Sequence, residues 1–381
     1  MSAGKHAALI LAAGFSTRMH KGFKPLLPLP FADGRRNALE NLARLYAEAG
    51  IQHIFVVGGK RQNLAAEAKG LGLAYVQNPH AERGMFSSVC TGLEALGVSK
   101  NCFVHPVDIP LVRLCTLRVL LAEAEKHPGD ILIPVFKDAE GHPPLLPAAH
   151  IAAILAWTGK NGLHGALRNL PCRQAPVADK NILLDMDTDD DYAEVCRRAC
   201  RCHILEPDEA EELLHCLAVG ARGMAHARAV GLAAKHFAVA CKAAGHALDP
   251  LLAEAGGLLH DMCKGEAQHE MAAGEKLRAL GLPAMARLVE EHRDCTLADD
   301  APVTEKELIY LADKYLYGER LVSLQKRFGQ KLDLFSEDAD ACAAIRGRLA
   351  RATAMELRLG REAGAPPFEL ACEALEKSLD T

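Results

Sequence analysis

The chain changes its hydrophobic period near residue 200, and no single regular architecture accommodates both halves. Before that point, short apolar runs at residues 7–12, 53–57, 74–77, 102–105 and 130–134 alternate with amphipathic stretches such as 37–49 and 87–96. Short strands separated by helices predict a mostly parallel α/β sheet with helices on both faces and right-handed crossovers. After it, Ala, Leu, Glu and Arg dominate. Residues 224–244, 250–263 and 305–317 place apolar side chains at three- and four-residue steps, the period of an amphipathic helix. Glu206-Pro207-Asp208 reads as a helix start, with Pro in the first turn. The expected organisation is an α/β domain over 1–198 and an all-α domain over 199–381. A chain of 381 residues suits two domains better than one.

Several function classes are excluded early. A formal net charge of −5 argues against a general nucleic-acid-binding surface. No apolar run approaches the roughly 20 residues of a membrane span. The N-terminal run ends at Ala13-Gly14-Phe15-Ser16-Thr17-Arg18 and reads as a strand entering a loop rather than a signal peptide. Thirteen cysteines, an odd number scattered through apolar segments, fit a reducing compartment better than a disulfide framework. The expected location is the cytoplasm, with no nucleic-acid or membrane partner. Cys196, Cys200, Cys202 and His203 cluster in sequence, but their spacing matches no closed zinc site and reads as a helix end at a domain junction.

The first chemically informative segment is Leu11-Ala12-Ala13-Gly14-Phe15-Ser16-Thr17-Arg18-Met19, followed by Lys24-Pro25-Leu26-Leu27. Small residues after a strand let backbone N–H groups approach a phosphate chain. Arg18 and Lys24 add positive charge for the same oxygens. Residues 11–27 resemble the signature of the molybdenum-cofactor nucleotidyltransferases and their sugar-nucleotide relatives. Further segments occur in the family's order: Asn78-Pro79 with Gly84-Met85-Phe86-Ser87-Ser88-Val89, His105-Pro106-Val107-Asp108-Ile109-Pro110, Gly141-His142-Pro143-Pro144 and Asp185-Met186-Asp187-Thr188. His20 stands where the family usually has Gly.

The resemblance implies a Rossmann-like, nucleotide-diphospho-sugar transferase type of fold. It places base and substrate contacts at Asn78, Gly84, Ser87, Ser88 and His142, beside the Leu11, Ala12, Ala13, Gly14, Arg18 and Lys24 loop. Asp108 and Asp187 are then the Mg²⁺ ligands, with Asp185 as a neighbour. A carboxylate at a strand end suits a hard cation, and pyrophosphate departure needs such charge. Ala12-Ala13-Gly14 and His142 resemble the cytidylyl branch. They imply CTP and a phosphorylated, molybdopterin-type acceptor, with molybdoenzyme maturation proteins as partners. A sugar or alditol phosphate is the alternative acceptor.

In the helical half, His226 is followed by His260-Asp261, His269, His292 and Asp313. One histidine alone is usually a core or surface residue; His236 and His246 lack a motif and are read so. The ordered set resembles the HD phosphohydrolase superfamily, especially the subgroup with two additional histidines, over roughly residues 220–320. The resemblance implies that His226, His260, Asp261 and Asp313 hold one metal ion, that Asp261 bridges, and that His269 and His292 complete a second. Imidazole with carboxylate suits one or two divalent transition metals, Fe, Mn or Zn. Such a centre activates water against a phosphate ester or anhydride, with Lys264 stabilising charge on a nucleotide-like substrate. The chain thus reads as a bifunctional enzyme; the alternative makes the helical half a nucleotide-sensing module.

Overall fold

The computed structural model describes residues 5–14, 19–290, 295–298 and 301–377, the last without its side chain. Arg18 and His292 therefore lie outside the described residues. Contacts divide the chain into two compact units, residues 1–203 and 204–381.

The first unit is built on strands β1 (His6–Ala12), β2 (Pro28–Phe31), β3 (Gly34–Asn37), β4 (His53–Gly58), β5 (Ala74–Gln77), β6 (Asn101–Pro106), β7 (Ile131–Phe136), β8 (Ala139–Glu140), β9 (Leu145–Leu146) and β10 (Cys172–Pro176). The main sheet runs β10-β7-β9-β6-β1-β4-β5, with β8 on β7; β2 and β3 form a separate hairpin. Strand β1 is parallel to both β4 and β6, with Ala7 opposite His53 and Cys102. The short β9 inserts antiparallel between β6 and β7. Helices α1 (Ala38–Glu48), α2 (Gln62–Gly70), α3 (Met85–Leu96), α4 (Leu114–Lys126), α5 (Ala148–Leu155), α6 (Gly162–Leu167) and α7 (Asp189–Ala199) connect these strands. Asn37 caps α1 by accepting from Glu40 N, and Thr188 opens α7 with a capping box, satisfying donors that a helix start leaves bare. Apolar clusters form around Ile10, Leu39, Tyr46 and Phe103 and around Leu9, Val57, Leu93 and Ile151. Strands β1, β4 and β6 end on the same edge, where open α/β sheets bind ligands. Cys196 and Cys202 pack against the first cluster, while Cys200 is exposed at the end of α7. No disulfide forms.

The second unit contains α8 (Pro207–Cys216), α9 (Ala221–Ala243), α10 (Pro250–Leu259), α11 (His269–Ala279), α12 (Pro283–Glu290), α13 (Glu305–Tyr315), α14 (Leu324–Leu334), α15 (Ala339–Ala363) and α16 (Pro367–Lys377). Its core gathers Phe237, Tyr310, Tyr315, Leu324 and Leu359. Two departures from the periodicity matter. The helix expected over 250–263 stops at Leu259. Tight turns replace it, with Met262 N donating to Leu259 O and Lys264 N to Asp261 O. His260 and Asp261 thus stand at a helix end rather than on one continuous helix. The helix expected to 317 stops at Tyr315 and gives way to a two-residue hairpin, β11 (Leu316–Tyr317) with β12 (Arg320–Leu321). Gly318 turns it at a φ of +64°, a conformation glycine adopts without steric cost. Among the described residues no helix is long and apolar enough to cross a membrane.

Helices α9 and α10 touch through glycine. A Cβ on Gly257 would sit 2.7 Å from the Gly231 Cα, so the backbones meet where no side chain fits. Gly257→Ala should force them apart and lower the second unit's unfolding free energy by about 1–3 kcal/mol, the usual cost of overpacking. Denaturant titration followed by circular dichroism checks this, and an unchanged midpoint contradicts it.

Candidate functional sites

In the first unit, β1 carries Leu11 and Ala12 as buried residues, then releases the half-buried Ala13 and exposed Gly14. Lys24 opens a short 3-10 turn anchored by buried Pro25. Its Nζ donates to Asp187 Oδ1 at 2.5 Å and lies 3.7 Å from Asp108 Oδ2. Burial pushes the Asp108 carboxyl upward; Lys24 opposes this, and Asp187 and Asp185 push it further up. Burial raises Asp185 as well, followed by the charges of Asp187 and Asp191. Carboxylate oxygens that crowd one another in this way fit a hard divalent cation.

Three segments distant in sequence are fastened around this cluster. Asp179 is fully buried. It accepts from Arg113 N at 2.7 Å, Arg113 Nη1 at 3.1 Å, Thr116 Oγ1 at 2.8 Å and Asn181 Nδ2 at 3.0 Å. The loop after Asp108 is thereby tied to the turn before Asp185. Gly141 lies against the same turn, where a Cβ would meet Ile182 O at 2.6 Å, and His142 N donates to Ile182 O. Burial lowers the His142 imidazole. His105 lies below the Asp108 loop. Burial pushes its pKa down to about 3, so the ring is neutral. Its Nε2 faces Ile109 O at 2.9 Å and must donate; Nδ1 then accepts from the Tyr46 hydroxyl at 2.8 Å.

Asn78, Ser87 and Ser88 form a second cluster at the start of α3. The buried Asn78 Nδ2 donates to both serine hydroxyls at 2.9 Å, and its Oδ1 accepts from His80 N at 2.8 Å. Asn78 therefore braces the helix start. Gly84, at a φ of +91°, turns the chain into it.

In the second unit, the Gly231–Gly257 crossing brings His226 on α9 and His260 after α10 to a ring separation of 5.1 Å. His226 Nδ1 donates to Gly318 O and His260 Nδ1 to Gly257 O, each at 2.7 Å. Both Nε2 atoms then face carboxylates. His226 Nε2 is 3.5 Å from Asp313 Oδ1 and 3.7 Å from Asp261 Oδ2; His260 Nε2 is 3.5 Å from Asp261 Oδ2 and 3.9 Å from Asp313 Oδ1. The buried His226 Nε2 has no hydrogen-bond partner. A lone pair held against carboxylates by a carbonyl behind the ring is the arrangement a metal ligand needs. His226, His260 and Asp261 place one ligand atom each within 4.8 Å of one another, the only such group of three among the described residues.

Asp261 turns its other oxygen, Oδ1, to His269 Nε2 at 3.4 Å, a bridging geometry. Lys264 Nζ pairs with Asp261 Oδ2. Burial works to raise the Asp313 carboxyl, but the charges of Lys314 and Arg327 beside it help to hold it well below the ordinary range. Sequence patterns did not mark Gly318, whose carbonyl sets the His226 tautomer, or Arg327, which lies beyond the last motif. Nor did they mark Asp179 or Arg113, which carry no spacing signal.

Comparison with known proteins follows the same division. Residues 8–176 match the MobA-like NTP transferase domain, and residues 213–318 match the HD domain. The molybdenum cofactor cytidylyltransferase of Escherichia coli (strain K12) is 25% identical over 186 residues, covering 48% of this chain and 92% of that protein. Among solved structures, Rv0371c from Mycobacterium tuberculosis H37Rv shares 23% identity over 52% of this chain and 100% of its own, with a TM-score of 0.42. A nucleotidyl transferase from Methanothermobacter thermautotroptrophicus shares 19% over 52% and 99%, with a TM-score of 0.44.

The His105 geometry predicts a pH signature. Its pKa falls from an ordinary 6.5 to about 3 on folding. The unfolded chain therefore binds the proton first. The stability this neutral ring contributes is complete above pH 6.5 and is lost as pH falls below it, by up to about 1.4 kcal/mol per pH unit. His105→Gln should flatten the wild-type decline in unfolding free energy between pH 6.5 and 4; parallel wild-type and variant curves contradict the assignment.

Proposed function

We propose that this enzyme, which joins a MobA-like NTP transferase domain to an HD domain, transfers CMP from CTP to a molybdopterin-type acceptor and also hydrolyses a phosphorylated, nucleotide-like molecule. The observation that carries the first part is the convergence of Lys24, Asp108 and Asp187 at the end of the parallel strands. An acceptor phosphate oxygen attacks the α-phosphorus, the bond to the bridging oxygen of the β-phosphate breaks, and pyrophosphate leaves. Asp108 and Asp187 would hold Mg²⁺, which would supply charge stabilisation for the departing oxygens. Arg18 and Lys24 hold the phosphate oxygens, and the brace of Asn78 on Ser87 and Ser88 fixes a wall of the substrate site. The choice of CTP and of a molybdopterin acceptor rests on Ala12-Ala13-Gly14, on His142, and on the activity named for the Escherichia coli relative.

In the HD domain, His226, His260, Asp261 and Asp313 would hold one divalent ion, Fe, Mn or Zn, and Asp261, His269 and His292 would hold a second. An ion held there would supply the charge that lowers the pKa of a bound water. Lys264 stands at Asp261, where its charge offsets that building on the phosphoryl oxygens. We place the protein in the cytoplasm, where its six buried cysteines, Cys102, Cys115, Cys241, Cys263, Cys295 and Cys342, stay reduced, and where a molybdoenzyme maturation partner receives the dinucleotide.

The two activities should separate by mutation. Asp108→Asn should lower pyrophosphate release from CTP, Mg²⁺ and molybdopterin by more than about 100-fold, since even residues supporting a metal ligand contribute 10–100-fold, while metal bound in the HD domain is unchanged. Asp261→Asn should deplete that metal and spare the transfer. Pyrophosphate release by the wild type with a sugar or alditol phosphate, but not with molybdopterin, would replace the acceptor. Equal loss of both functions in either variant would contradict two separate centres.

A further inference from the structure

We propose that Arg327, which lies outside the segment matching the HD domain, is a positioning residue for the metal centre. The proposal rests on the reading of His226, His260, Asp261 and Asp313 as metal ligands. The last carbonyls of a helix have no donor within it. At the end of α13, Leu316 N already donates to Asp313 O, and Arg327 adds a side-chain donor there and at Leu316 O. Its Nη1 donates to both Asp313 O and Leu316 O, and its Nη2 lies 3.8 Å from Asp313 Oδ1. One guanidinium therefore grips the backbone and faces the side chain of the same ligand. Lys314 Nζ takes the other oxygen, Asp313 Oδ2, at 2.8 Å. Held between these cations, the carboxylate keeps Oδ1 toward the two imidazoles.

The second bond reaches another ligand. Leu316 begins the hairpin whose turn residue, Gly318, accepts the His226 Nδ1 proton. Val322 N donates to Tyr315 O and closes its base. Arg327 thus fixes Asp313 directly and His226 through the hairpin carbonyl. The guanidinium is aimed by its own helix. Ser323 caps α14 by accepting from Lys326 N, and Leu324 and Phe328 on either side of Arg327 are buried. A lysine keeps the charge and can donate to the carbonyls, but it lacks the second nitrogen that faces Asp313 Oδ1.

The test is Mn²⁺ binding to metal-stripped full-length protein, followed by electron paramagnetic resonance, with the visible spectrum of the Co²⁺-loaded protein as a report on ligand geometry. Arg327→Met should weaken Mn²⁺ binding at this site by about 10–100-fold, the range for groups that orient metal ligands, and should shift the Co²⁺ bands. Arg327→Lys should fall between it and the wild type, and it carries the test if the Met variant does not fold. Lys326→Met, one residue away and exposed, should match the wild type. Binding within twofold of wild type for both Arg327 variants, with unshifted Co²⁺ bands, overturns the proposal alone. A wild-type chain that takes up no ion, and does not differ from Asp261→Asn, overturns the metal-centre reading with it.

Discussion

Asp179 is buried without exposure to solvent, and through its carboxylate the first unit's cluster is held together. It accepts from Arg113 and Thr116 on one side and Asn181 on the other. Asn181 in turn accepts from Arg198 Nε at 2.7 Å, which ties in α7. The loop carrying Asp108 and the segment carrying Asp185 and Asp187 would otherwise repel each other. Like charges in a partly desolvated cleft raise one another's pKa, as happens to Asp108 and Asp185. A buried ion pair with satisfied hydrogen bonds can hold them in place. Its loss is expensive, because a lone buried charge costs several kcal/mol. The cleft is thus assembled from behind, and Lys24 meets part of its remaining negative charge; the proposed cation would meet the rest.

The second unit meets the same demand with different parts. Here backbone proximity sets the geometry. Gly231 against Gly257 lets two helices approach until His226 and His260 face each other. Backbone carbonyls then choose the tautomers: Gly257 O holds one Nδ1 proton and Gly318 O the other. Both Nε2 atoms are directed at Asp261 and Asp313, so the metal binding proposed for this site would need little reorganisation. The two units use unlike chemistry accordingly. Carboxylates with a lysine suit a hard ion and a triphosphate, and imidazoles with carboxylates suit a transition metal.

Much of this was legible in the sequence, because period and motif order are local properties. The apolar runs at 7–12, 53–57, 74–77 and 102–105 lie in β1, β4, β5 and β6, and Lys24 lies near both Asp108 and Asp187. The scaffolding was not legible. Asp179 and Arg113 are 66 residues apart and carry no pattern distinguishing them from surface charges. The hairpin at 316–321 is too short to impose a period of two. The end of α10 was hidden because the apolar spacing continues through Met262 and Cys263 while the backbone turns. Arg327 reads as one more basic residue on an amphipathic helix until α13 is seen to end against it.

The central claim is that each unit builds its own cation centre from side chains distant in sequence. Anomalous diffraction from crystals grown with Mn²⁺ and CTP tests it most directly. The account predicts one peak within coordinating distance of Asp108 and Asp187, with Lys24 moved off Asp187, and a separate peak or pair of peaks bounded by His226, His260, Asp261 and Asp313. Either set of residues bare of anomalous density, with Mn²⁺ bound elsewhere on the chain, would contradict it.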